Sequence, residues 1–189
     1  MSEFSPSHSR IKWSAALARD LRRDGRGASL ISAIFAWFVS PSFQLLVLHR
    51  SAVRVRSVPF LGAPLSKFFW RWSVSSSGCY LSPTAQIGPG IVFPHPTGIV
   101  IGEGVIVDVD VTIYQSVTLG RVHGDRPLYP IIESGVVLYA GAVVVGDVRL
   151  GKNCIVGAGS YVNRSAPSGS VLVGSPASRI NIDSLVKRH

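Results

Sequence analysis

Acidic residues are scarce in this 189-residue chain: ten Asp and Glu stand against nineteen Lys and Arg, a formal charge of +9. Charged residues of both signs make up only 15%, while 47% are hydrophobic. That leaves ample material for the core of one domain with an appended segment. Cysteine is almost missing. Cys79 and Cys154 make no disulfide framework, and neither has metal-ligand spacing with a histidine, so no metal site is expected. The excess of positive charge would suit nucleic acid, phosphorylated cofactors, polyanionic substrates or a membrane surface. Nucleic acid is set aside. The basic residues gather at the two termini, and the central repeat has no aromatic–basic interleaving. Arg22-Arg23 precede an apolar run, but the rest of a twin-arginine export signal is lacking, and so is a convincing cleavage site.

What is present is a six-residue rhythm. Large residues recur at Leu81, Ile87, Phe93, Ile99, Val105, Val111 and Val117, and again at Ile132, Leu138, Val144, Leu150, Val156 and Val162. Four residues after most of them stands a small or β-branched residue, among them Ala85, Val136, Ala142, Cys154 and Ser160. Neither a helical period nor strand alternation gives a strict six. Hexapeptide repeats signal a parallel β-helix, about eighteen residues to a triangular coil. Large residues point inward and stack between coils. One coil cannot bury its own inner face, so several must stack. Cys154 reads as a buried core thiol. The count stops after Val117 and resumes fifteen residues later, which places an excursion at 121–129 holding His123, Asp125 and Arg126.

The chain divides into a basic N-terminal tail (1–27), a helical segment (28–75), the coil domain (76–180) and a C-terminal tail (181–189). Ile11 to Arg23 reads as a short amphipathic helix, either solvated or anchored at a membrane surface. The apolar stretch Ala28–Leu48 is interrupted by Ser40-Pro41. Proline suits a helix's first turn and disfavours helix at the residue before it. Two helices, about 29–39 and 41–55, are therefore expected in place of a single membrane span. A third, about 64–74, carries Phe68, Phe69, Trp70 and Trp72, expected to cap or flank the first coil, with a membrane-facing role as the rival. His49 reads as a helix-surface or packing residue.

Five words within 76–180 resemble the hexapeptide acyltransferases, and most of all their serine acetyltransferase branch. They are His95-Pro96-Thr97-Gly98-Ile99-Val100-Ile101-Gly102-Glu103, Gln115-Ser116-Val117-Thr118-Leu119-Gly120, Gly124-Asp125-Arg126, Val156-Gly157-Ala158-Gly159-Ser160 and Val173-Gly174-Ser175-Pro176-Ala177. The resemblance implies a left-handed β-helix, a homotrimer and transfer of acetyl from acetyl-CoA to a hydroxyl. It implies a cytoplasmic enzyme, with membrane-surface contact through residues 1–75 left open by the apolar helices.

That chemistry needs a base beside the hydroxyl, because an alcohol is a poor nucleophile until its proton is taken. His95 matches the family's catalytic base, with His123 as the reserve. Pro94, Glu103, Asp125 and Arg126 are the expected acceptor-binding residues, Arg126 toward a carboxylate. Glu103 falls, on this count, where other repeats place a small inward residue. Small residues at Gly120, Ala140, Gly141, Ala158 and Gly159 would let the pantetheine arm of acetyl-CoA lie in a groove between subunits. Lys152 and Arg164 would meet its phosphates, with Arg179 a further candidate. The sequence also departs from the branch. Tyr80 stands where an aspartate usually pairs with the base, Pro94 replaces a commonly acidic residue, and Pro127-Leu128-Tyr129 replaces a histidine after the loop arginine. Asp125, Glu103 or a backbone carbonyl would then have to orient His95. These departures touch amino-acid recognition and leave the acetyl-CoA half intact. L-serine is the family's default acceptor. A sugar hydroxyl in surface-polysaccharide assembly is the alternative, and a decayed trimeric scaffold the third reading.

Overall fold

The computed structural model describes residues 12–122 and 128–180. Four helices come first: α1 (Trp13–Arg23), α2 (Leu30–Val39), α3 (Pro41–Val55) and α4 (Gly62–Ser77). The Ser40 hydroxyl accepts from the Phe43 amide at 3.2 Å, and Pro41 fills the first turn of α3. Those two residues break the apolar stretch as expected, and α2 and α3 meet at a bend of 108°. α4 ends at Gly78 in the left-handed conformation, φ +65°.

Short strands then wind as a left-handed parallel β-helix. One face carries β1 (Tyr80–Leu81), β3 (Val100–Ile101), β6 (Thr118–Gly120), β9 (Val143–Val145) and β12 (Tyr161–Val162). The second carries β2 (Gln86–Ile87), β4 (Ile106–Val107), β7 (Ile131–Ile132) and β10 (Arg149–Leu150). The third carries β5 (Thr112–Ile113), β8 (Val137–Leu138), β11 (Ile155–Val156) and β13 (Val171–Gly174). The chain visits the faces in that order, so each coil has three edges. The prism closes with β14 (Ala177–Ile180), which turns back antiparallel on β13. Both cysteines lie fully inside. Truncating an interior side chain such as Leu138 to alanine should cost about 2–5 kcal/mol.

The register corrects the hexad count. Leu81 pairs with Ile101, Ile101 with Leu119, Leu119 with Val144 and Val144 with Val162. Two of those steps, Ile101 to Leu119 and Val144 to Val162, are one coil of eighteen residues; the other two are longer. Leu81 to Ile101 spans twenty residues, two more than a coil of eighteen, and Leu119 to Val144 spans twenty-five, seven more. The seven belong to the excursion. The two lie in 94–98, so Ile99, Val105, Val111 and Val117 do not continue the column of Leu81. Ile101, Val107, Ile113 and Leu119 do, and both sets are completely buried. Glu103 is displaced by the same slip: it is exposed, in the turn after β3 and not inside the coil.

The α4 aromatics flank the first coil only through Trp70, which meets Tyr80 of β1 edge to face at 5.4 Å, and they do not cap it. Leu45 and Leu46 of α3 join the prism core, whereas Phe68 and Trp72 of α4 stay largely exposed. Helix α1 is neither free nor a separate anchor. Its Asp20 is buried and takes both Nε (2.8 Å) and Nη2 (3.1 Å) of Arg50. Arg50 also donates to the carbonyls of Ile87 and Gly88, and Asp20 accepts from the Gly90 amide at 2.7 Å. Burial pushes the Asp20 carboxyl up from its ordinary value, and Arg50 pulls it back. One residue earlier on α1, Arg19 grips Asp110 with two hydrogen bonds. The amphipathic pattern of α1 thus serves docking on the first two coils.

Candidate active site

The two extra residues of the first coil build the site's central corner. Phe93 is fully buried, and its amide donates to Ser42 Oγ at 3.0 Å. The chain then leaves the third face through Pro94-His95-Pro96-Thr97-Gly98. Prolines fix φ on either side of His95. The His95 carbonyl accepts from the Thr97 amide at 2.8 Å, and the Thr97 carbonyl from Ser116 at 2.9 Å. Gly98 completes the turn at φ +65°, a left-handed conformation in which a side chain is strained. The corner is thereby rigid, and it holds the His95 side chain in solvent. Among the described residues no hydrogen bond reaches the imidazole.

Below His95 the same edge repeats. Its ring lies 6.3 Å from that of Tyr114, and Tyr114 stacks on Tyr139 at 5.1 Å. Beyond the tyrosines the edge narrows to small residues. The Gly141 amide donates to the Gln115 carbonyl, and the Gly159 amide to the Ala140 carbonyl. Pro94, His95, Ala140, Gly141, Ala158 and Gly159 therefore occupy one edge of the prism, in successive coils. The edge offers a base at one end and a smooth backbone track leading from it.

The other expected residues sit elsewhere. Glu103 lies past the far end of β3 from His95, and Gly120 ends β6 on that same second edge. The excursion leaves and returns there. Tyr129, at its returning end, packs over Gly102 and Gly104, where a methyl group on Gly104 would overlap the ring. Arg164 follows β12 and is exposed. Lys152 is exposed between β10 and β11, on the third edge, and its amide donates to Glu133 Oε2 at 3.1 Å. Asp125 and Arg126, with His123, fall outside the described residues. Among the described residues no group of His, Cys, Asp and Glu could hold a metal ion.

Tyr114 is the site residue that the sequence reading passed over. Its signal appears only with the corrected register. Tyr114 and Tyr139 each follow the large inward residue of one column, Ile113 and Leu138, which pair across adjacent coils.

Comparison with known proteins agrees with this architecture. Residues 129–164 match the family model described as bacterial transferase hexapeptide (six repeats). The serine acetyltransferase of Synechococcus elongatus is 40% identical over 144 residues, covering 72% of this chain and 55% of that enzyme. The chain spans about half the length of the curated relatives it matches. The soybean serine acetyltransferase apoenzyme superposes with a TM-score of 0.76 at 32% identity, over 88% of this chain and 68% of that one. A serine acetyltransferase solved in complex with CoA gives 0.74 at 28% identity, over 87% and 68%.

Proposed function

This chain belongs to the hexapeptide-repeat serine acetyltransferase family, and we propose on that footing that it transfers acetyl from acetyl-CoA to the hydroxyl of L-serine. The observation that carries the reading is His95, held in solvent on a proline-flanked corner at the head of an edge of small residues. A relative has been solved with CoA bound, and here acetyl-CoA would lie along the edge of Ala140, Gly141, Ala158 and Gly159, beside a neighbouring copy in a homotrimer. Gly120 of one copy, with Lys152 and Arg164 from the remaining edges, would complete the groove and meet the phosphates.

In the transfer His95 takes the acceptor's hydroxyl proton as the oxygen attacks the thioester carbonyl. The tetrahedral oxyanion is held by backbone amides of the small-residue turns. Collapse breaks the C–S bond, and the imidazolium returns its proton to the departing CoA thiolate. No group on the enzyme is acylated. Arg126 would hold the acceptor's carboxylate, with Pro94, Glu103 and Asp125 shaping its pocket. The work is cytoplasmic, where acetyl-CoA is made and both free thiols stay reduced.

A sugar hydroxyl is the second reading. The stacked pair Tyr114–Tyr139 beside His95 favours it, because aromatic rings offer apolar area to a sugar ring. One assay separates the readings: release of CoA thiol from acetyl-CoA with L-serine, and with nucleotide- and lipid-linked sugars. Turnover on serine alone supports the proposal, turnover on a sugar alone replaces it, and none on any acceptor favours a scaffold.

A further inference from the structure

We propose that the helical segment docks this protein on the surface of an anionic lipid bilayer, through α2, the loop 57–61 and one stripe of α4. The proposal is independent of the acceptor. In α2 only Ala36 is buried, and Ile31 and Phe38 are about four-fifths exposed, at 81% and 79%. The stripe on α4 is Leu61, Leu65, Phe68 and Trp72, all exposed at helical spacing. The two helices are joined where Trp37 meets Trp72 edge to face at 5.9 Å. At the start of the stripe stands Phe60, 101% exposed and at φ +61°. A bulky residue pays for that conformation, and here it carries the ring outward into water with nothing on it. Exposed apolar area on this scale marks an interaction surface.

Charge selects the occupant. Between Asp24 and Glu103 the chain has no acidic residue. Arg50 is engaged by Asp20, but Arg54, Arg56, Lys67 and Arg71 are exposed on the same segment. Arg26, itself paired with Asp24 at 3.1 Å, lies over the Phe35 ring at 5.2 Å. An apolar face flanked by the bases of α3 and α4, with Asp24 as its one neighbouring acid, fits phosphate headgroups above acyl chains. A second copy fits it poorly, because a symmetric contact would set these bases against themselves with no carboxylate to pair. A span is also disfavoured. Among the described residues no single helix is long and apolar enough to cross a membrane, and α3 spends its apolar side chains on the core.

The test is flotation of the full-length protein with vesicles of phosphatidylcholine alone and of phosphatidylcholine mixed with phosphatidylglycerol. The protein should float with the mixed vesicles and not with the neutral ones, and added salt should weaken binding. Each base near an anionic surface contributes about five-fold, so Lys67→Gln with Arg71→Gln should weaken partitioning roughly thirty-fold. Phe60→Ser, at a site with no packing to lose, should weaken it by about ten-fold. Wild type failing to float, or floating equally with both vesicles, would overturn the proposal. So would a fall in particle mass on sedimentation of Phe60→Ser without lipid, which would make this face a contact between copies.

Discussion

His49 sits on α3 under the first coil, 3% exposed, with its Nδ1 bonded to nothing among the described residues. Burial and the neighbouring Arg50 charge lower its pKa from 6.5 to about 3, against a hydrogen bond with the Leu81 backbone that acts to raise it. The folded protein therefore keeps His49 neutral at pH values where the unfolded chain takes up a proton. The unfolded state binds more protons, so stability is complete above pH 6.5 and is lost as pH falls from there toward 3. The slope is about 1.4 kcal/mol per pH unit, or about 2 kcal/mol between pH 7 and pH 5. In a protein of this size that corresponds to a melting shift of about 4–8 °C. Urea unfolding at pH 7, 6 and 5, at fixed protein concentration, measures it. His49→Gln keeps a donor for Leu81 but cannot ionise, and its stability should stay nearly level over that range. Parallel curves for wild type and His49→Gln would show that this buried imidazole is not the source of the acid sensitivity.

Two further substitutions probe the supports of the site. Asp20→Ala strands the buried Arg50 and should cost about 3–5 kcal/mol, with Arg50→Met on the same background recovering part of it; chemical denaturation decides. Gly104→Val must displace the Tyr129 ring and with it the returning end of the excursion. It should raise KM for the acceptor while leaving CoA binding by calorimetry near wild type, and loss of CoA binding instead would mean a global fault.

The repeat, the break at Pro41 and the excursion were legible because each rests on local chemistry: an inward column, a missing amide, a lost count. The phase of the repeat was not. In Ile99-Val100-Ile101 and Val105-Ile106-Val107 alternate residues are all apolar, so two columns share the same six-residue spacing. Only pairing between coils shows which one continues Leu81, and the error carried Glu103 to the wrong side of the backbone. The Asp20–Arg50 clamp was equally hidden, since its partners lie thirty residues apart and meet through tertiary packing. The cap was misread for a related reason. Aromatic content pointed to α4 as cap or flank, yet the plainer Leu45 and Leu46 of α3 fill the coil's end, while Trp70 flanks it and Phe68 and Trp72 face outward. At the site, the motif around His95 located the corner, but its neighbour Tyr114 became visible only once adjacent coils were stacked.

The central claim is that His95 is the base. Steady-state release of CoA thiol from acetyl-CoA with L-serine, in wild type and His95→Ala, tests it most directly, with CoA binding and circular dichroism measured on the same samples. A positioned general base contributes about a hundred- to ten-thousand-fold. The account predicts a loss of kcat in that range, CoA affinity unchanged and the fold intact. A His95→Ala enzyme that turns over its acceptor at the wild-type rate would contradict it.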